Sequence, residues 1–136
     1  MKNILVLCTG NSCRSQMAEG FLRKYLNDEF MVFSAGIEAH GVNPIAVDAM
    51  KEIGIDISEH TSNTIDELPK TDFRLLLTVC DNAKEKCPYF PATSAIHHNF
   101  PDPAKTTGTG EEILNSFRKT RDMIDNFCKK LAENLS

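Results

Sequence analysis

Short apolar runs rich in strand-forming residues occur four times along this chain. Between them, apolar residues recur every three or four positions, which is the spacing of one helix face. The pattern predicts an α/β fold, with an open parallel four-stranded sheet and helices on both faces. The predicted strands cover residues 3–7, 31–34, 73–79 and 94–97.

The predicted helices carry end signals of their own. Asn43 and Pro44 suit the N-cap and the first position of the second helix, and Gly54 suits the turn after it. Thr109 and Glu112 match a capping box before a long C-terminal helix. The apolar faces of the three helices are formed by Met17, Ala18, Phe21, Leu22, Tyr25 and Leu26; by Ala46, Val47, Met50 and Ile53; and by Ile113, Phe117, Ile124, Phe127 and Leu131.

Composition indicates a single catalytic domain spanning residues 1–136. The chain has 136 residues, of which 41% are hydrophobic and 25% are charged, and this suits one globular core. The formal net charge of −4 argues against nucleic acid as a partner. No stretch reads as a signal peptide or a membrane span. Five cysteines, an odd number, favour a reducing compartment, so we expect a cytoplasmic protein. We also expect a monomer without membrane association.

Residues 8–15, CTGNSCRS, lie between the first predicted strand and the first predicted helix. The first N–H groups of a helix have no partner within it, and the helix dipole makes that end an anion site. Gly10 and Asn11 can adopt positive φ angles that turn backbone N–H groups inward. Arg14 can bind two oxygens of a tetrahedral oxyanion with its planar fork. The predicted oxyanion-binding residues are Thr9, Gly10, Asn11, Ser12, Cys13 and Arg14.

Cys8 is the candidate nucleophile of this loop. A thiolate is the reactive form of cysteine, and a helix N-terminus, a cation and hydroxyl donors favour it. Ser15 is positioned in sequence to donate a hydrogen bond to the sulfur. In a parallel sheet the carboxyl ends of the strands share one edge, so Ser34, Cys80 and Asp102 should collect beside Cys8.

Asp102 is the candidate general acid. It lies between Pro101 and Pro103, which hold the carboxyl group on a stiff loop, as proton transfer requires. An ordinary turn aspartate is the alternative interpretation.

Cys80 and Cys87 form a second pair of cysteines. Cys80 follows the third predicted strand, and Cys87 lies in residues 81–90, a polar run predicted as a loop or a weak helix. A redox relay would use both thiols, because two lysines near Cys87 favour its thiolate. The alternatives are a buried core thiol at Cys80 and a zinc site completed by His97 and His98.

Together these features resemble the thioredoxin-coupled arsenate reductases, which share the fold of low-molecular-weight tyrosine phosphatases. The resemblance runs along nearly the whole chain. It is carried by residues 8–20, 34–36 and 41–44, in combination with Cys80 and Cys87.

The resemblance implies a reaction for each of these residues. Cys8 attacks arsenate, for which phosphate and sulfate are analogues, and Asp102 protonates the departing oxygen. Cys80 then attacks the sulfur of the Cys8–arsenic adduct, so that arsenite leaves. Cys87 next attacks Cys80 and carries the disulfide to thioredoxin.

Two other functions remain open at this point. A low-molecular-weight protein tyrosine phosphatase would share Cys8, Arg14 and Asp102, so weak phosphatase side activity is expected. Such phosphatases tend to carry aromatic residues after the acid, whereas residues 103–105 are Pro-Ala-Lys. A non-catalytic thiol redox switch would need only the second cysteine pair.

No tightly bound cofactor is expected, although the resemblance implies a candidate potassium site. Some members of that family hold potassium near the loop, and Asn11, Glu19 and Ser34 match the positions they use. Asn63 stands where those members carry an aspartate, which weakens the site. Pro101 stands where the family has an acidic residue.

Overall fold

The computed structural model describes residues 1–81, Ala83 and residues 91–135. The strands are β1 (Lys2–Cys8), β2 (Phe30–Gly36), β3 (Phe73–Thr78) and β4 (Ala92–His97). The helices are α1 (Arg14–Tyr25), α2 (Pro44–Lys51) and α3 (Gly110–Leu135), with short 3₁₀ turns at Ile65–Glu67 and Pro103–Lys105.

The described strands form one parallel sheet in the order β2-β1-β3-β4, which confirms the predicted four-stranded parallel sheet. β1 pairs with β2 along its whole length, from Lys2 opposite Phe30 to Cys8 opposite Gly36. β3 pairs with the other side of β1. Cys8 therefore ends a central strand, in the middle of the carboxyl edge of the sheet.

The three described helices pack on one another, and α1 also packs on β1 and β2. Helices on both faces of the sheet remain a prediction, because most of the connection between β3 and β4 lies outside the described residues. Within the described part of the chain, no helix is both long and apolar enough to cross a membrane. The helix residues buried in the core include Met17, Phe21, Leu22, Met50, Phe117, Ile124 and Cys128.

Both predicted helix starts are confirmed. The side chain of Asn43 accepts a hydrogen bond from the Ile45 N–H at 2.8 Å, and α2 begins at Pro44. Thr109 Oγ1 accepts from the Glu112 N–H at 3.2 Å, and Glu112 Oε1 accepts from the Thr109 N–H at 3.5 Å. These local contacts fix where α2 and α3 begin.

The predicted apolar face of α2 is wrong at its last position. The helix ends at Lys51, and the chain turns at Gly54, which has a φ of 81°. Ile53 lies in this turn and is 37% exposed, because residues past the helix end no longer follow its periodicity.

Candidate active site

The loop between β1 and α1 turns through Asn11, which has a φ of 47°. Gly10, the other residue able to adopt a positive φ angle, does not have one. Asn11 is fully buried, and its Oδ1 accepts from the Asn63 N–H at 2.8 Å. Its Nδ2 donates to Ser15 Oγ at 2.9 Å and to Ser34 Oγ at 3.0 Å. This side chain therefore holds the left-handed turn in place.

The segment after β2 supports the loop from outside. A Cβ atom on Gly36 would lie 2.4 Å from the Glu38 carbonyl oxygen and 2.7 Å from that of Thr9, so only glycine allows this approach. Three backbone hydrogen bonds of 2.9–3.1 Å join Glu38 to Thr9, His40 to Gly10 and Asn43 to Ser12. Asn11 thus holds the loop from within, and the segment after β2 holds it from outside.

A cavity of about 180 Å³ opens above the loop. Cys8 lines it and is only 4% exposed. A second cavity, of about 490 Å³, adjoins it, and Thr9, Arg14 and Asp102 line both. The remaining residues that line the smaller cavity are Gly10, Ser12, Cys13, His40 and Ala104.

Arg14 forms part of the wall between the two cavities. Its Nη1 donates to the Phe100 carbonyl oxygen at 2.9 Å, and its Nη2 lies 3.6 Å from Asp102 Oδ2. Its Nε is buried and has no hydrogen-bond partner in the described part of the chain. An unpaired buried donor costs roughly 1–3 kcal/mol. An oxyanion bound in the loop would supply the missing acceptor.

Cys80 lies at the same edge of the sheet, in hydrogen-bond contact with Cys8. Its Sγ is 3.2 Å from Thr9 Oγ1 and accepts from the Ala83 N–H at 3.4 Å. The hydrogen bond from Cys8, with help from Thr9, Ala83 and Arg14, lowers the pKa of Cys80 to about 5. The same bond to Cys80, together with burial, raises the pKa of Cys8. The protonation of the two sulfurs is therefore linked.

Two loop residues lie apart from the sulfur pair. Ser15 Oγ accepts from Asn11 Nδ2, and no hydrogen bond joins Ser15 to Cys8 among the described residues, contrary to the prediction. Ser15 supports the loop instead. Burial raises the pKa of Cys13 to about 11, so this thiol is neutral at physiological pH. Cys87 lies outside the described residues.

Comparison with known proteins decides the family. Residues 3–136 match the family described as low molecular weight phosphotyrosine protein phosphatase. The chain belongs to that family. An arsenate reductase of Halalkalibacterium halodurans is 58% identical over 135 residues, covering 97% of this chain and 96% of the relative.

Two solved structures show the same phosphatase-family fold over the whole length of both chains. One is an arsenate reductase in the phosphate binding state, with a TM-score of 0.79 and 30% identity. The other is an arsenate reductase in the oxidized state, with a TM-score of 0.83 and 30% identity. Each covers 100% of this chain and is itself covered to 100%.

Asp102 occupies the cavity wall despite the departure from the family pattern at Pro101. Its Oδ1 accepts from the Ala104 N–H at 3.0 Å and caps the 3₁₀ turn that begins at Pro103. Its Oδ2 faces Arg14. The residue is therefore a turn cap, as the alternative interpretation had it, and also a carboxyl group that lines the cavity above the loop.

The residues implied for potassium meet behind the loop. Ser34 Oγ donates to Glu19 Oε1 at 2.5 Å and accepts from the Asn11 amide nitrogen. Glu19 Oε2 already pairs with Arg23 Nε at 2.9 Å and lies 3.5 Å from His60 Nε2. Asn11 turns a donor toward this group, because its oxygen accepts a backbone hydrogen bond. The arrangement does not fit a cation, which needs several free oxygens.

Potassium should therefore leave the stability of this phosphatase-family chain unchanged. An ion that binds only the native state raises the midpoint temperature of unfolding. We expect equal midpoints in KCl and NaCl at the same concentration, measured by circular dichroism. A midpoint that rises with potassium alone would contradict this. Arg23→Gln is the matched variant, because it removes the guanidinium group that already pairs with the Glu19 carboxylate.

The histidines have partners that no sequence pattern marked. His97 Nδ1 is 2.7 Å from Thr78 Oγ1, and its Nε2 is 2.7 Å from Asp81 Oδ1. His98 stacks on Phe100 at 4.5 Å between ring centroids. Both histidines thus already have partners other than Cys80. Among the described residues, no three His, Cys, Asp or Glu side chains are grouped to hold a metal.

Proposed function

We propose that this protein is an arsenate reductase that works through a Cys8/Cys80/Cys87 disulfide relay regenerated by thioredoxin. The observation that carries the proposal is the placement of Cys80, whose Sγ lies 3.2 Å from Thr9 Oγ1, beside Cys8 at the cavity above the loop. Hydrolysis of a phosphate ester needs one nucleophilic thiol, whereas reduction of arsenate needs a second thiol within reach of the first.

The relatives support the substrate. The 58% identical relative is an arsenate reductase, and one of the similar structures is an arsenate reductase in a phosphate binding state. Arsenate and phosphate are both tetrahedral oxyanions, so one loop can bind either. We propose arsenate as substrate, with phosphate and sulfate as non-reducible analogues. We further propose a cytoplasmic monomer in which residues 1–136 form one catalytic domain.

The first step joins Cys8 to arsenic. The loop N–H groups and Arg14 hold arsenate against the sulfur, and Arg14 Nε gains an acceptor. Transfer of the Cys8 proton along its hydrogen bond to Cys80 makes Cys8 the thiolate. Its sulfur then bonds to arsenic as one hydroxyl leaves, and Asp102 donates the proton that releases that oxygen as water.

The second step reduces arsenic. The Cys80 sulfur attacks the Cys8 sulfur, a disulfide forms, and the sulfur–arsenic bond breaks. Arsenic keeps the electron pair of that bond and leaves as arsenite, and the proton that Cys80 received in the first step passes to an arsenite oxygen. Two thiols are thus oxidised as As(V) becomes As(III). Cys87 then attacks Cys80 and frees Cys8, and two thiols of thioredoxin reduce the Cys80–Cys87 disulfide.

One assay tests the proposal directly. Arsenate should drive NADPH consumption when the protein is supplied with thioredoxin and thioredoxin reductase, but not with a glutaredoxin system. Consumption with glutaredoxin alone would contradict the thioredoxin coupling, and the absence of arsenate-dependent consumption in both systems would contradict the reductase.

A phosphatase remains the second candidate, because Cys8, Arg14 and Asp102 suffice for it. The cavity wall after Asp102 carries Ala104, and among the described residues that line this cavity there is no Phe, Tyr or Trp to pack on a phenol ring. We therefore expect hydrolysis of aryl phosphates only as a weak side activity. A redox switch without catalysis would need neither the unpaired Arg14 Nε nor Asp102.

Asp102→Asn should lower arsenate turnover by roughly a hundredfold or more, the usual size of a lost general acid. The asparagine keeps the side-chain oxygen that caps the turn, so the loop should stay folded. Asp56→Asn is the matched control, because Asp56 Oδ1 also caps a turn, at the Ser58 N–H, away from the cavity. If Asp102→Asn and Asp56→Asn turned over arsenate equally fast, Asp102 would be a turn residue without a role in proton transfer.

A further inference from the structure

Backbone pairing between β3 and β4 extends past the end of β4. The His98 N–H donates to the Thr78 carbonyl oxygen at 2.9 Å, and the Phe100 N–H donates to the Val79 carbonyl oxygen at 3.1 Å. Cys80 comes directly after this paired stretch. Its position therefore depends on how the residues on either side of it are held.

The His97 ring holds both sides of Cys80. Its Nδ1 lies 2.7 Å from Thr78 Oγ1, and its Nε2 lies 2.7 Å from Asp81 Oδ1. The Asp81 N–H also donates to Asn99 Oδ1 at 3.1 Å. We call these four side chains, those of Thr78, Asp81, His97 and Asn99, the Cys80 clasp. Two residues that follow the edge strand thus fix the chain before and after the thiol.

The chemistry of the three groups gives each contact of the ring a direction. An ionised carboxylate only accepts hydrogen bonds, so His97 Nε2 carries a hydrogen and donates it to Asp81. The Thr78 hydroxyl donates to Nδ1 of a neutral ring and accepts from Nδ1 of a charged one. Both contacts therefore persist whichever charge the ring carries. Thr78 is only 6% exposed, so water competes little for its hydroxyl.

We propose that His97 is a positioning residue for Cys80, which it holds beside Cys8 by fixing Thr78 and Asp81. The inference rests on the proposed function, because only arsenate reduction uses the Cys80 sulfur. Attack of one sulfur on another requires close approach and alignment, and a displacement of about 1 Å can cost roughly a hundredfold in rate. The clasp supplies that alignment from outside the oxyanion loop, so it should act on reduction without acting on oxyanion binding.

Two variants of Asp81 isolate the contact from the charge. Asp81→Asn and Asp81→Ala both remove the negative charge, but only alanine removes the oxygen that accepts from His97. The Asp81 side chain is 67% exposed, so both variants should fold. We expect Asp81→Ala to lower kcat for arsenate by roughly tenfold or more and to leave KM unchanged, whereas Asp81→Asn keeps most of kcat. Asp56→Ala, which removes an exposed carboxylate from another turn, is the matched control.

A thiol–disulfide equilibrium measures the position of Cys80 without arsenate. In a Cys87→Ser background, oxidised glutathione takes two electrons and two protons from Cys8 and Cys80, and one disulfide and two glutathione molecules result. The equilibrium constant reports the effective concentration of one thiol at the other. Asp81→Ala should lower this constant roughly tenfold. Thr78→Val, which removes the other contact of the ring, should lower it likewise, and Asp81→Asn should restore it.

Equal constants for Asp81→Ala and Asp81→Asn would overturn the proposal. A raised KM with an unchanged kcat in Asp81→Ala would also overturn it, because the clasp would then act on the oxyanion loop. If the wild-type protein reduces no arsenate, the proposed function fails, yet the glutathione equilibrium still tests the clasp. Absence of a Cys8–Cys80 disulfide at every glutathione ratio would show that the two thiols are not aligned. Circular dichroism confirms that each variant is folded.

Discussion

Replacement of Cys8 by serine should abolish arsenate reduction and aryl phosphate hydrolysis together, with losses on the order of 10⁴-fold or more. Both reactions begin with the same sulfur, which ends the central strand and lines the oxyanion cavity. A serine hydroxyl is far less acidic than a thiol and would not form the adduct. Steady-state assays with arsenate and with an aryl phosphate measure the two losses.

Cys13→Ser is the matched control for this variant. Cys13 belongs to the predicted oxyanion loop through its backbone N–H, which serine keeps, and burial raises the pKa of its thiol, which has no proposed step in the reaction. The control should keep most of the activity, and both variants should keep the circular dichroism of the wild type. Arsenate reduction by Cys8→Ser would overturn the assignment of the nucleophile.

Replacement of Cys80 by serine should separate the two reactions. Multiple-turnover reduction should end, because no thiol remains to attack the Cys8 sulfur and break its bond to arsenic. Aryl phosphate hydrolysis should persist. The pKa of Cys8 should also fall, since the hydrogen-bonded Cys80 sulfur is the first cause of its rise. Alkylation of Cys8 by iodoacetamide should therefore extend to lower pH in this variant.

The companion variant Cys87→Ser should stall after about one turnover, with Cys8 joined to Cys80. Peptide mapping under non-reducing conditions identifies that bond. Cys128→Ala serves as the control, because Cys128 is buried between α1 and α3 and has no part in the relay. Continued turnover by Cys80→Ser, or a Cys87→Ser protein without the Cys8–Cys80 bond, would contradict the relay.

Sequence reasoning succeeded where a few neighbouring residues determine the structure. The Asn43 cap, the capping box at Thr109 and the loop after Cys8 are all formed by residues within a few positions of one another. It failed at Ile53 because the end of α2 depends on a turn rather than on apolar periodicity. The expected contact of Ser15 with the Cys8 sulfur is absent among the described residues, where Ser15 Oγ instead accepts a hydrogen bond from Asn11 Nδ2.

Other features of the site could not be predicted because their partners are far apart in the chain. Thr9 contacts Cys80 across 71 positions, and Arg14 contacts the Phe100 carbonyl across 86. The pairing of Glu19 with Arg23 had a local signal, since the two residues are four apart on α1. That spacing already indicated that the Glu19 carboxylate has a cationic partner on its own helix, which argues against a potassium site there. The contact of His60 with the same carboxylate had no such signal.

The inner position of β1 has a consequence for how variants of this chain are interpreted. This strand pairs on both sides and also ends at Cys8, so a change there alters folding and chemistry at once. Cys80 follows β3, which is the other inner strand, because it pairs with β1 and with β4. The two thiols therefore stand on neighbouring inner strands, and a substitution in either strand disturbs the sheet and the spacing of the thiols together.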